Sequence, residues 1–391
     1  MERPRATPPL LRHLNEQRVL ETIRVGAPIS RAEISRRAGI SKPTVSLALE
    51  RLLEAELVRE AEKDAGGPSY GALYFEPVPE AALVLGLDLG ARFLRGAICD
   101  LNGDMRARKD VEVSGLDAPG ALEAIVELRG SLLNSTDLDS DLIDTVIVGV
   151  PGVVEAGSGK LSLATNVPGL EGTEFSIQLR DQLGVGVALE NDINLAALGE
   201  QWKGVAQGVD DFVFLSVGTG LGAGLVLGGE LHRGHNGAAG EMDYALTGLG
   251  REVDPCAGAV SELTARMEPE HDGETSLSPP YEARAVFGAA RAGDSLGQAV
   301  VDEVATRIAL HVAPIAAVGD VALVVIGGGI GANGDLLLEP VLTRLAAWLP
   351  YPPRVEVSSL GEAAVLTGAL AVGLRASLEN VFARRQPSAA G

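Results

Sequence analysis

The chain has 391 residues, 46% of them apolar, which is enough for two or three domains with sizeable cores. Its formal net charge is −21, so only a locally basic region is suited to bind a polyanion. Two cysteines are too few for a disulfide framework, no apolar run reaches the ~18 residues of a membrane span, and residues 1–23 lack the apolar stretch of a signal peptide, so we expect a cytoplasmic protein without a membrane partner.

The N-terminal segment has a different charge balance from the rest of the chain. Residues 1–60 hold eleven Lys and Arg and eight Asp and Glu, a local excess of three positive charges in a strongly acidic protein. Because an acidic body repels DNA, a basic head would set the orientation of DNA binding.

The same segment predicts the first two helices of a winged helix-turn-helix. Residues 15–24 carry apolar side chains at helical spacing. Ser30 and Glu33 have the spacing of a capping box that opens a second helix, and Gly39 is placed to end it.

A third helix is predicted to begin after Ser41, with Val45, Leu49, Leu52 and Leu53 on its inner face. In helix-turn-helix motifs the second helix of the pair enters the major groove, where hydroxyls and cations contact base edges and phosphates. The predicted DNA-binding residues are Arg31, Ser41, Lys42, Thr44, Ser46 and Arg51.

Two strands and a glycine-rich tip complete the predicted wing. Residues 57–59 and 72–75 favour strands, and Gly66, Gly67 and Pro68 favour the turn between them. The alternative is a protein-docking module whose basic surface is only solvated. Two prolines then predict an extended connector over residues 77–83, after a DNA-binding domain over residues 1–76.

Two polar motifs dominate the remaining residues, 84–391. Asn191 and Asp192 follow an apolar strand-like run, residues 185–189, and polar side chains at such strand ends commonly form ligand sites in α/β sheets. The second motif, residues 216–224, is glycine-rich and follows another strand-like run, so its N–H groups can approach an anion. Together the motifs suit a polyol lying near a phosphate, although ordinary glycine turns remain the alternative.

Six segments in this order resemble the ROK family of repressors, open reading frames and kinases, from about Leu85 to about Ala376. The resemblance implies an α/β, actin-like fold (sugar kinase/ribonuclease H-like) with two lobes and a sugar at the hinge. Lobe I would span about residues 84–192 plus a C-terminal helix of about 370–385, and lobe II about residues 193–369. The segments are 87–90, 149–152, 166–169, 191–197 with 216–224, 237–241 and 327–330.

The resemblance also assigns site residues by motif match. Asp192 would be the catalytic base if kinase activity survives. The sugar-binding set is Gly152, Asn166, Asn191, Asp192, Glu241, Tyr244 and Glu262. The nucleotide- and phosphate-binding set is Asp88, Gly90, Gly218, Thr219, Gly220, Gly328 and Gly329.

The chain departs from the kinase pattern at two places. Family kinases carry a second glycine and a threonine after the first Asp-x-Gly, where this chain has Ala91 and Arg92. A side chain therefore occupies the approach to the terminal phosphate, so efficient phosphoryl transfer is not expected. Weak binding of ATP and Mg²⁺ stays open.

The second departure removes the family's zinc ligands. The usual Glu-x-Gly-His is replaced by residues 241–244, Glu-Met-Asp-Tyr, so Tyr244 stands where the family has a histidine. Of the cysteine cluster that should follow, only Cys256 is present. One cysteine without a neighbouring histidine cannot form a tetrahedral zinc site, and we predict no metal and no cofactor.

A head of this kind favours the repressors of the family over its kinases, because residues 30–34 and 41–46 closely resemble the repressors' DNA-binding heads. The sequence predicts a sugar-responsive transcriptional regulator, not an enzyme, that binds operator DNA and a sugar or sugar phosphate as a homodimer or homotetramer. The alternatives are a sugar kinase that also binds DNA, and a regulator that has lost its ligand and responds only to a partner protein. Whether the sugar releases or promotes DNA binding stays open.

Overall fold

The computed structural model describes residues 8–61, 73–136, 138–155, 157–164, 167–243 and 251–385. It consists of an N-terminal winged helix-turn-helix and two α/β lobes, as predicted. The helices of the head are α1 (Pro8–Gly26), α2 (Arg31–Ala38) and α3 (Lys42–Glu54). Its strands, in the sheet order β1-β3-β2, are β1 (Ile29–Ser30), β3 (Tyr74–Pro77) and β2 (Val58–Ala61).

The helix boundaries of the head follow the local signals in the sequence. Ser30 caps α2 by accepting from the N–H of Glu33, and Gly39 ends it in the left-handed conformation with φ 64°. The reciprocal half of the capping box is absent, because the Glu33 carboxylate binds Arg36 and Arg37 instead. The first helix was predicted too short, since α1 begins at Pro8 and ends at Gly26.

The wing was predicted with its strands slightly early. They occupy Val58–Ala61 and Tyr74–Pro77, and Phe75 at 0% exposure packs into the core of the head. The predicted tip, residues 66–68, lies outside the described residues.

The connector was wrongly predicted as extended. Pro77 still pairs with Val58, and residues Pro79–Ala81 form a 3-10 turn. The carbonyl of Pro79 accepts from the N–H of Leu101 in the body. Pro77 thus belongs to the sheet of the head, and Pro79 lies in a turn that is hydrogen-bonded to the body.

The two lobes contain five-stranded sheets of the same topology. In each, a central strand pairs antiparallel with the strand that follows it and parallel with a later one. Lobe I has the order β10 (Gly186–Asn191), β7 (Ile143–Val150), β4 (Leu83–Leu89), β5 (Phe93–Asp100), β6 (Met105–Glu112). Lobe II has the order β13 (Glu230–Leu231), β12 (Leu221–Leu227), β11 (Phe212–Val217), β14 (Leu323–Gly327), β15 (Arg354–Val357). A separate ribbon pairs β8 (Val153–Val154) with β9 (Leu161–Ser162).

Helices cover both sheets. Strands β4 and β14 are buried along their whole length and are almost entirely apolar, which is typical of strands covered on both faces. The helices are α4 (Ala118–Asn134), α5 (Glu174–Leu183), α6 (Asp192–Lys203), α7 (Ala257–Met267), α8 (Ala283–Arg291), α9 (Ser295–Gly319), α10 (Gly328–Gly331), α11 (Gly334–Trp348) and α12 (Ala364–Arg385).

Helices α6 and α12 pack on each other at very close range. A Cβ added to Gly368 of α12 would lie 1.8 Å from the carbonyl oxygen of Leu195, and one added to Gly199 of α6 would lie 2.3 Å from that of Ala364. The C-terminal helix begins at Ala364, earlier than the predicted residue 370. Helix α6, predicted to open lobe II, is the element that joins α12 to the strand β12 of lobe II.

One hydrophobic core runs from the head into lobe I. It holds residues of α1 and α3 together with residues of β4, β5 and α12. The head is therefore packed on the body through a core to which β4, β5 and α12 all contribute. Members from the two sides include Val19, Leu20, Ile23 and Leu49 of the head and Val84, Cys99, Leu370, Leu374 and Val381 of the body.

Residues Gly361–Val381 are long and apolar enough to cross a membrane by length and composition alone. Half of this stretch is buried inside the protein, where α12 packs on β4, β7 and α6. Its apolar character is explained by this core position.

Candidate functional site

The polar residues of lobe I meet at one edge of its sheet. Strands β4, β7 and β10 run parallel, and Asp88, Gly149 and Glu190 lie side by side in register close to their carboxyl ends. The carboxyl edge of such a sheet is where α/β proteins bind ligands. Asp192 follows directly as the first residue of α6.

Asn191 is the N-cap of α6. Its Oδ1 accepts from the N–H of Asn194 at 2.9 Å, and its Nδ2 donates to the carbonyl of Gly152 at 2.9 Å. One donor and one acceptor position of the amide are thus used within the protein, which leaves one of each for a ligand. Gly152 has φ 104°, and a Cβ there would lie 2.6 Å from the Ser162 carbonyl oxygen, so packing alone already requires glycine.

Asp192 is the half-buried acid of the site. Its Oδ1 accepts from the N–H of Ile193 at 2.8 Å, while Oδ2 meets no donor among the described residues. Burial, followed by the nearby Asp88 carboxylate, raises the pKa of Asp192 to about 7. Near neutral pH this side chain can therefore accept a proton from a hydroxyl group or donate one to it.

Lobe II brings two further acids to the cleft. Glu241 is one of the charges that raise the pKa of Asp192, and burial and Asp243 raise the pKa of Glu241 itself. Asp243 Oδ1 accepts from the N–H of Leu221 at the start of β12. Gly240 pairs with Ala223 of β12 beside Ile193 of α6, which places Glu241 near Asn191 and Asp192; the sugar-binding role of the three residues stays a prediction.

Three further residues belong to the predicted sugar-binding set. Asn166 and Tyr244 lie outside the described residues, so those assignments remain predictions. Glu262 is exposed on α7.

Asp88 was predicted to face a nucleotide, but its carboxylate is bound by an arginine. Arg95 Nη1 donates to Asp88 Oδ2 at 3.1 Å, and the same guanidinium contacts Glu362 at 3.0 Å and Asp110 at 3.6 Å. Burial outweighs the opposing effect of Arg95 and raises the pKa of Asp88 to about 6. The sequence offered no signal for Arg95, because nothing in a strand pattern tells which side chain points at Asp88.

The turn of lobe I has no free N–H at Gly90. That N–H donates to the carbonyl of Phe93 at 3.0 Å, closing a tight hairpin with Ala91 and Arg92 at its tip. Arg92 is 77% exposed. The expectation that a side chain occupies the phosphate approach is consistent with this geometry.

The turn of lobe II carries no charged side chain. Gly218 donates to the carbonyl of Gly220, while in the described parts of the chain the N–H groups of Thr219 and Gly220 meet no acceptor. Gly328, with φ 80°, packs against the Val217 carbonyl, and Gly329 borders open space.

The predicted glycine loop ends earlier than residue 224. Gly222 and Gly224 lie inside β12, where added Cβ atoms would collide with Ile193 of α6. These two glycines allow strand and helix to pack closely and are not placed to bind an anion.

A salt bridge between the lobes was missed by the sequence analysis. Arg233, beyond β13, donates to Glu190 Oε2 at 2.8 and 2.6 Å. Glu190 Oε1 accepts from the Asn191 N–H and from Asn194, both at 3.0 Å. Glu190 was visible as a polar strand end, but its partner is distant in sequence.

The region of the missing zinc cluster is held by hydrogen bonds from α9. Arg307 donates to the carbonyl of Asp254 at 2.8 Å, and His311 Nε2 lies 2.9 Å from the carbonyl of Val253. Asp254 in turn accepts from the N–H of Cys256 at 2.8 Å. Outside the undescribed segments, no group of three or more His, Cys, Asp and Glu side chains is placed to hold a metal. Burial lowers the pKa of His311.

The candidate DNA-binding face lies on α2 and α3. Arg31, Ser41 and Lys42 are exposed, and Thr44 and Ser46 are half-buried. Arg51 was predicted to bind DNA, but its Nη1 donates to Glu16 of α1 at 3.0 Å, so it links two helices of the head. Leu47, 49% exposed between the polar residues of α3, was missed; such an apolar side chain can contact a thymine methyl group.

Known protein families match both the head and the body of the chain. The ROK family profile matches residues 84–376 and the MarR family profile residues 13–66. A putative xylose repressor of Caldicellulosiruptor sp. (strain Rt8B.4) is 26% identical over 93% of this chain and 96% of its own, and a glucokinase of Halalkalibacterium halodurans is 28% identical over 73% and 92%.

Solved structures show the same fold. A ROK family transcriptional regulator, described as a homolog of the Escherichia coli MLC protein, superposes with a TM-score of 0.78 at 20% identity and covers 96% of this chain and 98% of its own. A ROK glucokinase from Streptomyces griseus, in complex with glucose and AMPPNP, superposes with a TM-score of 0.59 at 25% identity, covering 75% and 100%. The regulator structure thus covers the head together with both lobes, whereas the glucokinase structure covers three quarters of the chain.

Proposed function

The chain belongs to the ROK family, and on this premise we propose that it is a cytoplasmic, sugar-responsive transcriptional repressor of carbohydrate-metabolism genes. It binds operator DNA through the winged helix and a sugar in the cleft between its lobes. Repressors and sugar kinases both occur among its relatives, so the assignment depends on the features that separate them.

The observation that carries the proposal is the position of α12 between the cleft and the head. Glu362, directly before α12, contacts Arg95, the partner of Asp88 at the cleft. Further along α12, Leu370 and Leu374 share one hydrophobic core with the head. A change at the cleft that moves α12 therefore moves the head.

The mechanism follows from this arrangement. A sugar bound by Asn191, Asp192 and Glu241 draws the lobes together, which alters the spacing of two heads in a dimer. A coupling free energy of ~1–3 kcal/mol corresponds to a 5–150-fold change in operator affinity. Such a change exceeds the error of a binding titration.

A gel-shift titration tests this proposal. DNA from the region upstream of the chain's own gene is titrated with and without each member of a panel of pentoses and hexoses. We expect one sugar to shift the apparent Kd at least fivefold. No shift with any sugar, for a protein that still binds the DNA specifically, would favour the regulator that responds only to a partner protein.

The second candidate function is a sugar kinase that also binds DNA, and the pKa of Asp192 favours it, since about 7 suits a general base. Against it stand the Asp88–Arg95 ion pair and the side chains of Ala91 and Arg92 in the phosphate turn. A coupled assay with Mg-ATP decides between them. We expect no turnover above background; robust phosphorylation of any common pentose or hexose by the wild type would establish the kinase.

The absence of a structural zinc is part of the proposal. Residues 253–254, in the region of the missing zinc cluster, are held by hydrogen bonds from Arg307 and His311. Purified protein should contain less than one equivalent of zinc per chain, and a chelator should leave its melting temperature unchanged. Stoichiometric zinc by elemental analysis would contradict this.

A further inference from the structure

A cavity of about 400 Å³ lies between the two turns at the cleft, a volume in the range of small-molecule sites. Arg92 borders it from lobe I and every other lining residue belongs to lobe II. Its lining includes Arg92, Thr219, Arg284, Arg291 and Gly329.

The charge of this cavity is opposite to that of the protein. Three arginines and no Asp or Glu line it, in a chain of net charge −21. Arg291 is neutralised by Asp335, which it binds through two hydrogen bonds of 2.6 and 2.7 Å. Arg284 has no ion pair in the described ranges, and Arg92 has only a 3.9 Å contact with the exposed Glu112.

Two nearly uncompensated arginines on opposite walls favour an anion. Guanidinium groups bind phosphate in a bidentate manner, with short, charge-assisted hydrogen bonds. The N–H of Thr219, which meets no acceptor among the described residues, and the open backbone at Gly329 leave room for phosphate oxygens nearby.

The neighbourhood favours a phosphate that arrives without a metal ion. Mg-ATP sites use protein carboxylates to hold the cation, and the carboxylate next to this turn, Asp88, is already bound by Arg95. Asp88 and Arg92 are four residues apart, so their Cα atoms are at most ~14 Å apart. Asp88 lies in register with Gly149, which pairs with Glu190 two residues before Asp192, so the sugar-facing acids and the turn that carries Arg92 share one edge of lobe I.

We propose that this cavity binds the phosphate group of a phosphorylated sugar whose hydroxyls contact Asp192 and Asn191. Arg92 from lobe I and Arg284 from lobe II hold the phosphate from both sides, so the ligand itself links the two lobes. The inference rests on the proposed sensing function and narrows its ligand from a sugar to a sugar phosphate.

Calorimetry in chelator-containing buffer tests the inference. Free pentoses and hexoses are compared with their phosphate esters, with inorganic phosphate alone, and, in a separate magnesium buffer, with AMPPNP. We expect one ester to bind at least tenfold more tightly than its free sugar. Arg284→Ala and Arg92→Ala should each weaken the ester at least tenfold and leave free-sugar affinity unchanged.

A matched control is available on the neighbouring helix. Arg266 is exposed near the C-terminal end of α7, about 13 Å along the helix from Ala257 at the cavity. Arg266→Ala should leave the affinity for the ester unchanged. Since all three arginines are exposed, melting temperatures close to that of the wild type should confirm that the variants fold.

The outcomes separate the two proposals. An ester that binds no better than its free sugar, or equally well to wild type and Arg284→Ala, overturns the phosphate inference alone. Inorganic phosphate bound equally by all variants marks an adventitious ion only, and AMPPNP bound in preference to every ester marks a nucleotide site; both overturn it. If no sugar binds, free or phosphorylated, the sensing function fails as well.

Discussion

The two turns at the cleft, one from each lobe, have the same topological position but carry different side chains. Each joins a central strand to its antiparallel neighbour, β4 to β5 in lobe I and β11 to β12 in lobe II. Both turns are closed by the N–H of their first glycine, Gly90 in lobe I and Gly218 in lobe II, but the turn of lobe I carries the exposed Arg92, whereas the turn of lobe II carries Thr219 and Gly220 and no charged side chain.

The difference shows that topology does not fix how a turn binds an anion. A turn with small side chains lets backbone N–H groups approach an anion, while a turn with an arginine presents a charged side chain to it. Lobe II has the first arrangement and lobe I the second.

The largest expected effect tests the backbone requirement in lobe II. Gly328→Ala places a Cβ 2.5 Å from the Val217 carbonyl oxygen at a φ of 80°, so the free energy of unfolding should fall by ~2–4 kcal/mol. The control is Gly329→Ala, where no atom lies within 4 Å of the added Cβ. Denaturant unfolding that destabilises both variants equally would contradict the assignment.

The next prediction tests whether Asp192 of lobe I binds the sugar. Asp192→Asn keeps the size of the side chain and removes the charged acceptor, so sugar binding should weaken by about 1.5–3 kcal/mol, or roughly tenfold to 150-fold. Calorimetry measures this, with the exposed Asp181→Asn on α5 as control. Unchanged affinity would place the sugar elsewhere.

In the head, the comparison is between a charged side chain, Lys42, and a hydroxyl group, that of Thr44. Thr44→Ala should weaken specific DNA binding by ~1–3 kcal/mol if its hydroxyl contacts a base edge, and Lys42→Ala should weaken specific and unrelated duplexes alike. The exposed Lys160→Ala in lobe I is the control for charge. Unchanged gel-shift affinity in the Lys42, Thr44 double variant would contradict the assignment of α3 as the reading helix.

The smallest expected effect is a pH dependence of stability. Burial raises the pKa of Asp192 from 3.8 to about 7 in the folded chain, so the folded state holds a proton that the unfolded state has lost. The stabilisation is complete below pH 3.8 and declines as the pH rises to about 7. Between pH 5 and pH 8 the wild type should therefore lose a few degrees more in melting temperature than Asp192→Asn, by calorimetric scanning. An equal loss in both would contradict the raised pKa.

Local signals predicted the head well because its boundaries depend on neighbouring residues. Ser30, Gly39 and Ser41 cap their helices as expected, and Val45 and Leu49 are buried. The connector was predicted wrongly, since residues Pro79–Ala81 form a 3-10 turn and the carbonyl of Pro79 accepts from the N–H of Leu101 in the body. A proline pattern alone cannot show that contact.

In the site, the kind of each residue was predictable but its use was not. Asn191, Asp192 and Glu241 were found from strand ends and motif order. A helical projection places Arg51 on the outer face of α3, yet it binds Glu16 of α1. Gly222 and Gly224, predicted as part of an anion-binding loop, instead make room for α6.

The sequence by itself determined the order of the parts: a basic head with capped helices, then a chain of apolar strands ending in polar residues and glycines. These features depend on residues within a few positions of each other, where period, caps and turn residues act directly. Only the tertiary structure decided that Arg95 neutralises Asp88, that Arg233 binds Glu190, and that α12 joins cleft and head in one core. Each of these contacts brings together residues distant in the chain or side chains whose direction only packing sets, and such choices leave no periodic trace in the sequence.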